Sequence, residues 1–102
     1  MIIVRFKIRC QPAQADRVAA AMADVARASR ALPGVRHFDV ARDLVDADAL
    51  IAAEVFEDRP AMERQEALPE VARVIALLQD GALAGAPEWT IYTVSSAESP
   101  QM

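Results

Sequence analysis

The stretch VRHFDVARDLVDADALIAAEVF, residues 35–56, holds two strand-like runs on either side of an aspartate-rich connection. From Val35 to Asp43, one side shows Val35, His37, Asp39 and Ala41, and the other Arg36, Phe38, Val40 and Arg42. That is the period of a strand. From Ala49 to Glu57, Leu50, Ala52, Glu54 and Phe56 face one way and Ile51, Ala53 and Val55 the other. A run this continuously apolar implies burial on both faces. Between the runs, aspartates favour a turn because they bond their own backbone. So short a connection makes the two strands antiparallel neighbours. Asp39, Asp43, Asp46 and Asp48 lack the spacing and the glycine of an EF-hand, so the expectation is a solvated turn and not a cation site.

Upstream, residues 2–10 alternate strictly. Val4, Phe6, Ile8 and Cys10 share one face, and Ile3, Arg5, Lys7 and Arg9 the other. A first strand follows, with its apolar face inward. Pro12 suits the first turn of a helix. Val18, Met22, Val25 and Leu32, with Ala21 and Ala28, then form an apolar stripe over about four or five turns. Pro33-Gly34 ends that helix. Downstream of the hairpin, Asp58 is the expected N-cap and Pro60 lies in the first turn of a short helix through Met62, Gln65 and Glu66. Pro69 opens another, with Val71, Val74, Ile75 and Leu78 inward and Asp80-Gly81 as its stop. A last strand runs from Trp89 to Val94. The order strand, helix, strand, strand, helix pair, strand is the split βαβ, ferredoxin-like plan: an α+β domain with a four-stranded antiparallel sheet and helices on one face. The expected boundaries are a domain over residues 1–95 and a flexible, polar C-terminal tail over 96–102.

Bulk properties narrow the function. A chain of 102 residues is one domain. Net charge is −4 and aromatics make up 5%, with no basic stripe, which argues against nucleic acid as a partner. The single cysteine, Cys10, cannot form an internal disulfide, and its place at the end of an apolar strand gives it a packing role. No signal-peptide pattern opens the chain and no run is long and apolar enough to span a membrane, so a cytoplasmic protein without membrane attachment is expected. The helices can cover one sheet face only. The apolar residues on the other face predict a homodimer.

The stretches Leu32-Pro33-Gly34-Val35-Arg36-His37-Phe38 and Glu54-Val55-Phe56-Glu57-Asp58 resemble the antibiotic biosynthesis monooxygenase family, the dimeric α/β-barrel group. The family often opens its second strand with Pro-Gly, followed four residues later by an aromatic, where Phe38 stands. Its third strand carries a glutamate two residues before an aromatic, matched by Glu54 and Phe56. A cap residue and a helix come next, matched by Asp58 and residues 60–66. The resemblance spans about residues 2–94. Two departures are informative. Gln65 stands where many members place a histidine. The haem-degrading branch needs an asparagine, and this chain has none.

The resemblance implies a cofactor-free oxygenase that joins O2 to an aromatic quinol, phenol or anthrone. Such a substrate, once deprotonated, supplies the electrons itself. The protein then has to provide a dry pocket, a base and donors to the anion. No metal is expected, since no His, Cys or Asp cluster has ligand spacing. No cofactor is expected either, since no Gly-rich phosphate loop appears. His37, the only histidine, and Glu54 are the candidate bases. Glu54, a lone carboxylate in an apolar strand, should have a partner such as Arg5 or Lys7. Phe38, Phe56 and Trp89 are candidates for holding an aromatic ring, Gln65 for bonding a substrate oxygen, and Arg5 for steadying a phenolate. The alternative reading is a barrel that binds a small molecule without turnover, or an isomerase on a small metabolite.

Overall fold

The computed structural model describes residues 1–101. Its elements are β1 (Ile2–Arg9), a 3-10 turn at Pro12–Gln14, α1 (Ala15–Arg30), β2 (Val35–Arg42), β3 (Ala49–Phe56), α2 (Arg59–Glu66), α3 (Pro69–Leu77) and β4 (Glu88–Thr93). The four strands form one antiparallel sheet in the order β2-β3-β1-β4. This is the ferredoxin-like α+β fold that the hairpin at residues 35–56 implies. The expected tail, 96–102, extends to Met102, which lies outside the described residues.

The inward face of β1 is as its alternation requires: Ile2, Val4 and Ile8 are buried, and Cys10 follows them into the core. Phe56, Leu50 and Ala52 meet them from β3. The stripe on α1 packs above, with Val18, Met22 and Val25 buried. Leu32, the expected end of that stripe, falls beyond the helix and is only half-buried. A residue before proline is pushed out of the helical region, which puts Leu32 in the turn. Ser29 takes the last inward position and is fully buried.

Pro33-Gly34 does more than end α1. Gly34 has φ +81°, and a Cβ there would come within 2.7 Å of the Ala61 Cβ. Only glycine combines that backbone with so close an approach. The contact seats the start of α2 against the start of β2. Asp58 caps α2 as expected, its carboxylate accepting from the Ala61 N–H at 2.9 Å. Helix α3 leads into a wide turn at Leu78–Ala82, where Gly81 has φ +88°.

On the other sheet face, β1 carries a ladder of ion pairs. Arg5 meets Glu88 at 3.2 Å, Lys7 meets Asp43 at 2.9 Å and Arg9 meets Asp46 at 2.8 Å. Asp43 and Asp46 also accept the backbone N–H of Val45 and Asp48, two residues on. The aspartate-rich connection is therefore a self-bonded turn tied to the cations of β1. Ile3, Ile51 and Val55 lie among these charges and are half-buried, while Tyr92 is exposed. Strand β4 is an edge strand, and all six of its residues are exposed. Among the described residues, no helix is long and apolar enough to cross a membrane.

Candidate functional site

Strand register alone lays out the floor of a cavity on the helix-covered face. Phe38 of β2 pairs with Glu54 of β3, and Glu54 pairs with Val4 of β1. Two positions along, Val40 pairs with Ala52, Ala52 with Phe6, and Phe6 with Trp89 of β4. These seven side chains share one face because strand side chains alternate. Ala52 is the small member of its row, and its missing volume lies between Val40 and Phe6. Met22 and Val25 of α1, Gln65 and Glu66 of α2, and Val74 of α3 form much of the roof. The enclosed volume is about 330 Å³, within the range of small-molecule sites. Its mouth lies between α3 and β4, where Ile75 and Trp89 line the cavity and yet are 47% and 61% exposed. The Phe6 and Trp89 rings meet edge to face, with centroids 6.5 Å apart.

Glu54 is the chemical centre of this space. Burial pushes its carboxyl up to about 7, and the charge of Glu66 adds to the rise. Neither hydrogen bonding nor a cation holds it down. The expected pairing with Arg5 or Lys7 does not form. Those residues are on the opposite face, where Glu88 and Asp43 take them. The reason is the strand period: Val4 and Phe6 point into the core, so Arg5 and Lys7 point away. A carboxyl poised near neutrality in an apolar cavity can take a proton from a bound molecule and return it.

Gln65 is buried, and its Nε2 donates to Ser29 Oγ at 3.0 Å. This buried bond joins α2 to α1 and holds the Gln65 amide at the cavity wall. Gln65 lies three and four residues after Met62 and Ala61, both buried, so it occupies the inward stripe of α2.

The other candidates are placed as follows. Phe38 and Trp89 line the cavity together with Glu54 and Gln65. Phe56 is on the same sheet face but is fully buried in the core and is not part of the lining. His37 pairs with Val55 on the open face and is exposed. It adjoins Phe38, which is buried at 3% exposure, so the two must point to opposite sides. Arg5 is likewise on the open face, held by Glu88. Thus His37 cannot act as a base in this cavity, and Arg5 cannot steady an anion there, within one chain.

Glu66, known from the sequence only as a residue of the short helix, is exposed and lines the cavity roof, and Ser29, which the sequence did not single out, holds Gln65 at the wall. Ser29 could have been found by counting: it lies four residues after Val25 and seven after Met22, on the inward face of α1. Cys10 is fully buried, and burial pushes its thiol up, so it is a packing group and not a nucleophile. Among the described residues, no three His, Cys, Asp or Glu side chains converge as metal ligands would.

Comparison with known proteins agrees with this fold. No curated protein matches the chain. A family model of the antibiotic biosynthesis monooxygenases matches residues 1–77, from β1 through α3. Trp89 and the rest of β4 lie beyond that match. Solved structures extend the likeness to the whole chain. A candidate antibiotic biosynthesis monooxygenase from Deinococcus radiodurans has 22% identity and a TM-score of 0.86, with 99% of each chain covered. A Mycobacterium tuberculosis protein has 17% identity and a TM-score of 0.84, over 96% of this chain and 98% of that one. A further candidate monooxygenase, from Nitrosomonas europaea, has 15% identity and a TM-score of 0.83, over 92% and 98%. At these identities the structures speak for the fold, and the family model speaks for descent: this chain belongs to the antibiotic biosynthesis monooxygenase family.

Proposed function

We propose that this chain is a cofactor-independent monooxygenase that oxidises an aromatic quinol, phenol or anthrone with O2 in the cavity above Glu54. The observation that carries the reading is the Glu54 carboxyl. It has no cation partner, sits in an apolar cavity, and is raised to about 7. In this role Glu54 accepts the proton of the substrate hydroxyl or of the acidic ring carbon. Phe38 and Trp89 flank the ring, and Gln65, held by Ser29, contacts a substrate oxygen. The resulting carbanion or phenolate is the reductant. It passes electrons to O2, one oxygen atom bonds to the ring carbon, and the second leaves as water with the two displaced hydrogens. Anthrone would give anthraquinone and water, and a hydroquinone would give a hydroxyquinone and water. The family membership of the chain supports the oxygen chemistry.

Oxygen uptake by the chelator-treated protein, with a panel of hydroquinones, naphthoquinols and anthrones, tests the reading. Protein-dependent uptake without added flavin is the expected result. Uptake at the no-protein rate with every substrate would overturn it.

One observation favours a second reading, a barrel that binds an aromatic molecule without turnover. No lysine, arginine or histidine lines the cavity to stabilise an anion. Tight binding of a panel member with no oxygen uptake would select it. The proposal also includes a homodimer in the cytoplasm, with two open sheet faces closed over Ile3, Ile51, Val55 and Tyr92. Light scattering at about twice the monomer mass is the expected result for that pairing.

A further inference from the structure

The charge pattern of the cavity bears on what it admits. Two carboxylates line it, Glu54 on the floor and Glu66 on the roof. The cations of β1, Arg5, Lys7 and Arg9, are all on the far face and already paired, and Arg42 of β2 is taken by Asp16 of α1. The rest of the lining is apolar apart from Gln65, whose amide is tied to Ser29, and the indole of Trp89 at the mouth. A ligand carboxylate would thus enter an apolar space beside Glu54, with the exposed Glu66 at its roof and no opposite charge in the lining, and would lose its water without gaining a partner. A hydroxyl, by contrast, gives Glu54 the hydrogen-bond donor that the protein itself withholds.

We infer that the cavity selects planar aromatic molecules that carry a hydrogen-bond donor and no negative charge, and that Glu66 is a specificity-determining residue that turns anions away. The inference rests on the cavity being the substrate site, and not on any oxygen chemistry. Glu66 is exposed and forms no ion pair among the described residues. Its part is electrostatic: it repels an incoming anion at the roof and reinforces the rejection made by Glu54 below. The class admitted is a neutral phenol or quinol, and the class excluded is the same ring bearing a carboxylate.

A matched pair of probes, 2-naphthol and 2-naphthoate, tests this by calorimetry. Trp89 is the only tryptophan, so its single indole N–H signal in a 15N–1H spectrum reports whether a probe occupies the cavity. At about pH 8, above the value of about 7 to which Glu54 is raised, 2-naphthol should bind roughly tenfold or more tightly than 2-naphthoate. Glu66→Gln should strengthen naphthoate severalfold and leave naphthol within about twofold, because it removes a charge and keeps the shape. Glu54→Gln should strengthen naphthoate as well, and weaken naphthol. Equal binding of the two probes by the unmodified protein, with the Trp89 signal shifted by both, would overturn the charge selection and leave the cavity reading standing. So would a Glu66→Gln variant, folded by the same spectrum, with an unchanged preference. Binding of neither probe would overturn the charge selection, and the oxygen assay then decides the cavity reading separately.

Discussion

The two faces of the sheet are built from the same strands, one residue apart, and they handle acidic groups in opposite ways. On the covered face, Glu54 stands in a row with Phe38 and Val4 and has no cation. Its carboxyl is pushed up to about 7. On the open face, Asp43 and Asp46 receive Lys7 and Arg9, and those hydrogen bonds, helped by backbone N–H groups, hold both carboxyls below the usual range. All the cations of β1 were spent on the face that water already reaches. The cavity was left with two carboxylates and no cation in its lining. A charge is satisfied where that stabilises the domain little, and left unsatisfied where a ligand can satisfy it.

Substitutions on the two faces should differ accordingly. The largest contrast is in turnover. Glu54→Gln should lower the rate of oxygen uptake by about 10²–10⁴-fold, the usual worth of a general base. His37→Ala, on the open face, should leave it within about twofold, since its ring is outside the cavity. A loss with His37→Ala matching that of Glu54→Gln would break the contrast.

Next comes packing. Phe56 is fully buried on the covered face, so Phe56→Ala should cost about 3–5 kcal/mol in urea unfolding. Breaking the buried bond between the α1 and α2 partners comes third. Ser29→Ala should cost about 1–3 kcal/mol, because it leaves the Gln65 amide without its partner. The same variant should raise KM for the aromatic substrate more than it lowers kcat, since Gln65 is held in place by that bond.

The pH dependence of stability sharpens the comparison further. The folded state holds the Glu54 proton up to about 7, whereas the ordinary value is 4.5. Between these values the folded state binds the proton and the unfolded state does not. Stability therefore falls as pH rises through this window, by at most about 1.4 kcal/mol per pH unit. Glu54→Gln should abolish that fall. Asp43 and Asp46 have the opposite sign: their contribution is present above the ordinary aspartate range and is lost as pH drops below it. The acid-side loss should survive Glu54→Gln and weaken on Lys7→Ala. Lys7→Ala is also the smallest effect at neutral pH. Removing one pair from the ladder should move the urea midpoint little, and less in high salt.

Much of the site could be read from residues, and the errors have one common source. Glu54 stood out as a single charge in an apolar strand. Phe38 and Trp89 stood out as aromatics at strand positions. Gln65 sat at the helical spacing of Met62. What the reading did not apply was the exclusion between neighbours on one strand. His37 and Phe38 cannot both line a cavity on one face, and neither can Arg5 and Glu54, once β1 pairs with β3 in the observed register. Burial of Phe38 alone would have removed His37 from the cavity.

The periods of the chain by themselves determined the element order, the hairpin at residues 35–56, the inward face of β1 and the stops at Pro33-Gly34 and Gly81. These are local properties, set by side-chain alternation, helical spacing and the backbone preferences of proline and glycine. Tertiary structure decided which polar groups meet. The irregular pairing at Val35–His37, the seating of α2 against Gly34, and the register of β4 on β1 together place Glu66 over Glu54 and Trp89 at the mouth. No local rule carries that information. Whether a carboxylate is paired or solitary depends on residues far away in the chain, and the low dielectric that raises Glu54 exists only once helices cover the sheet.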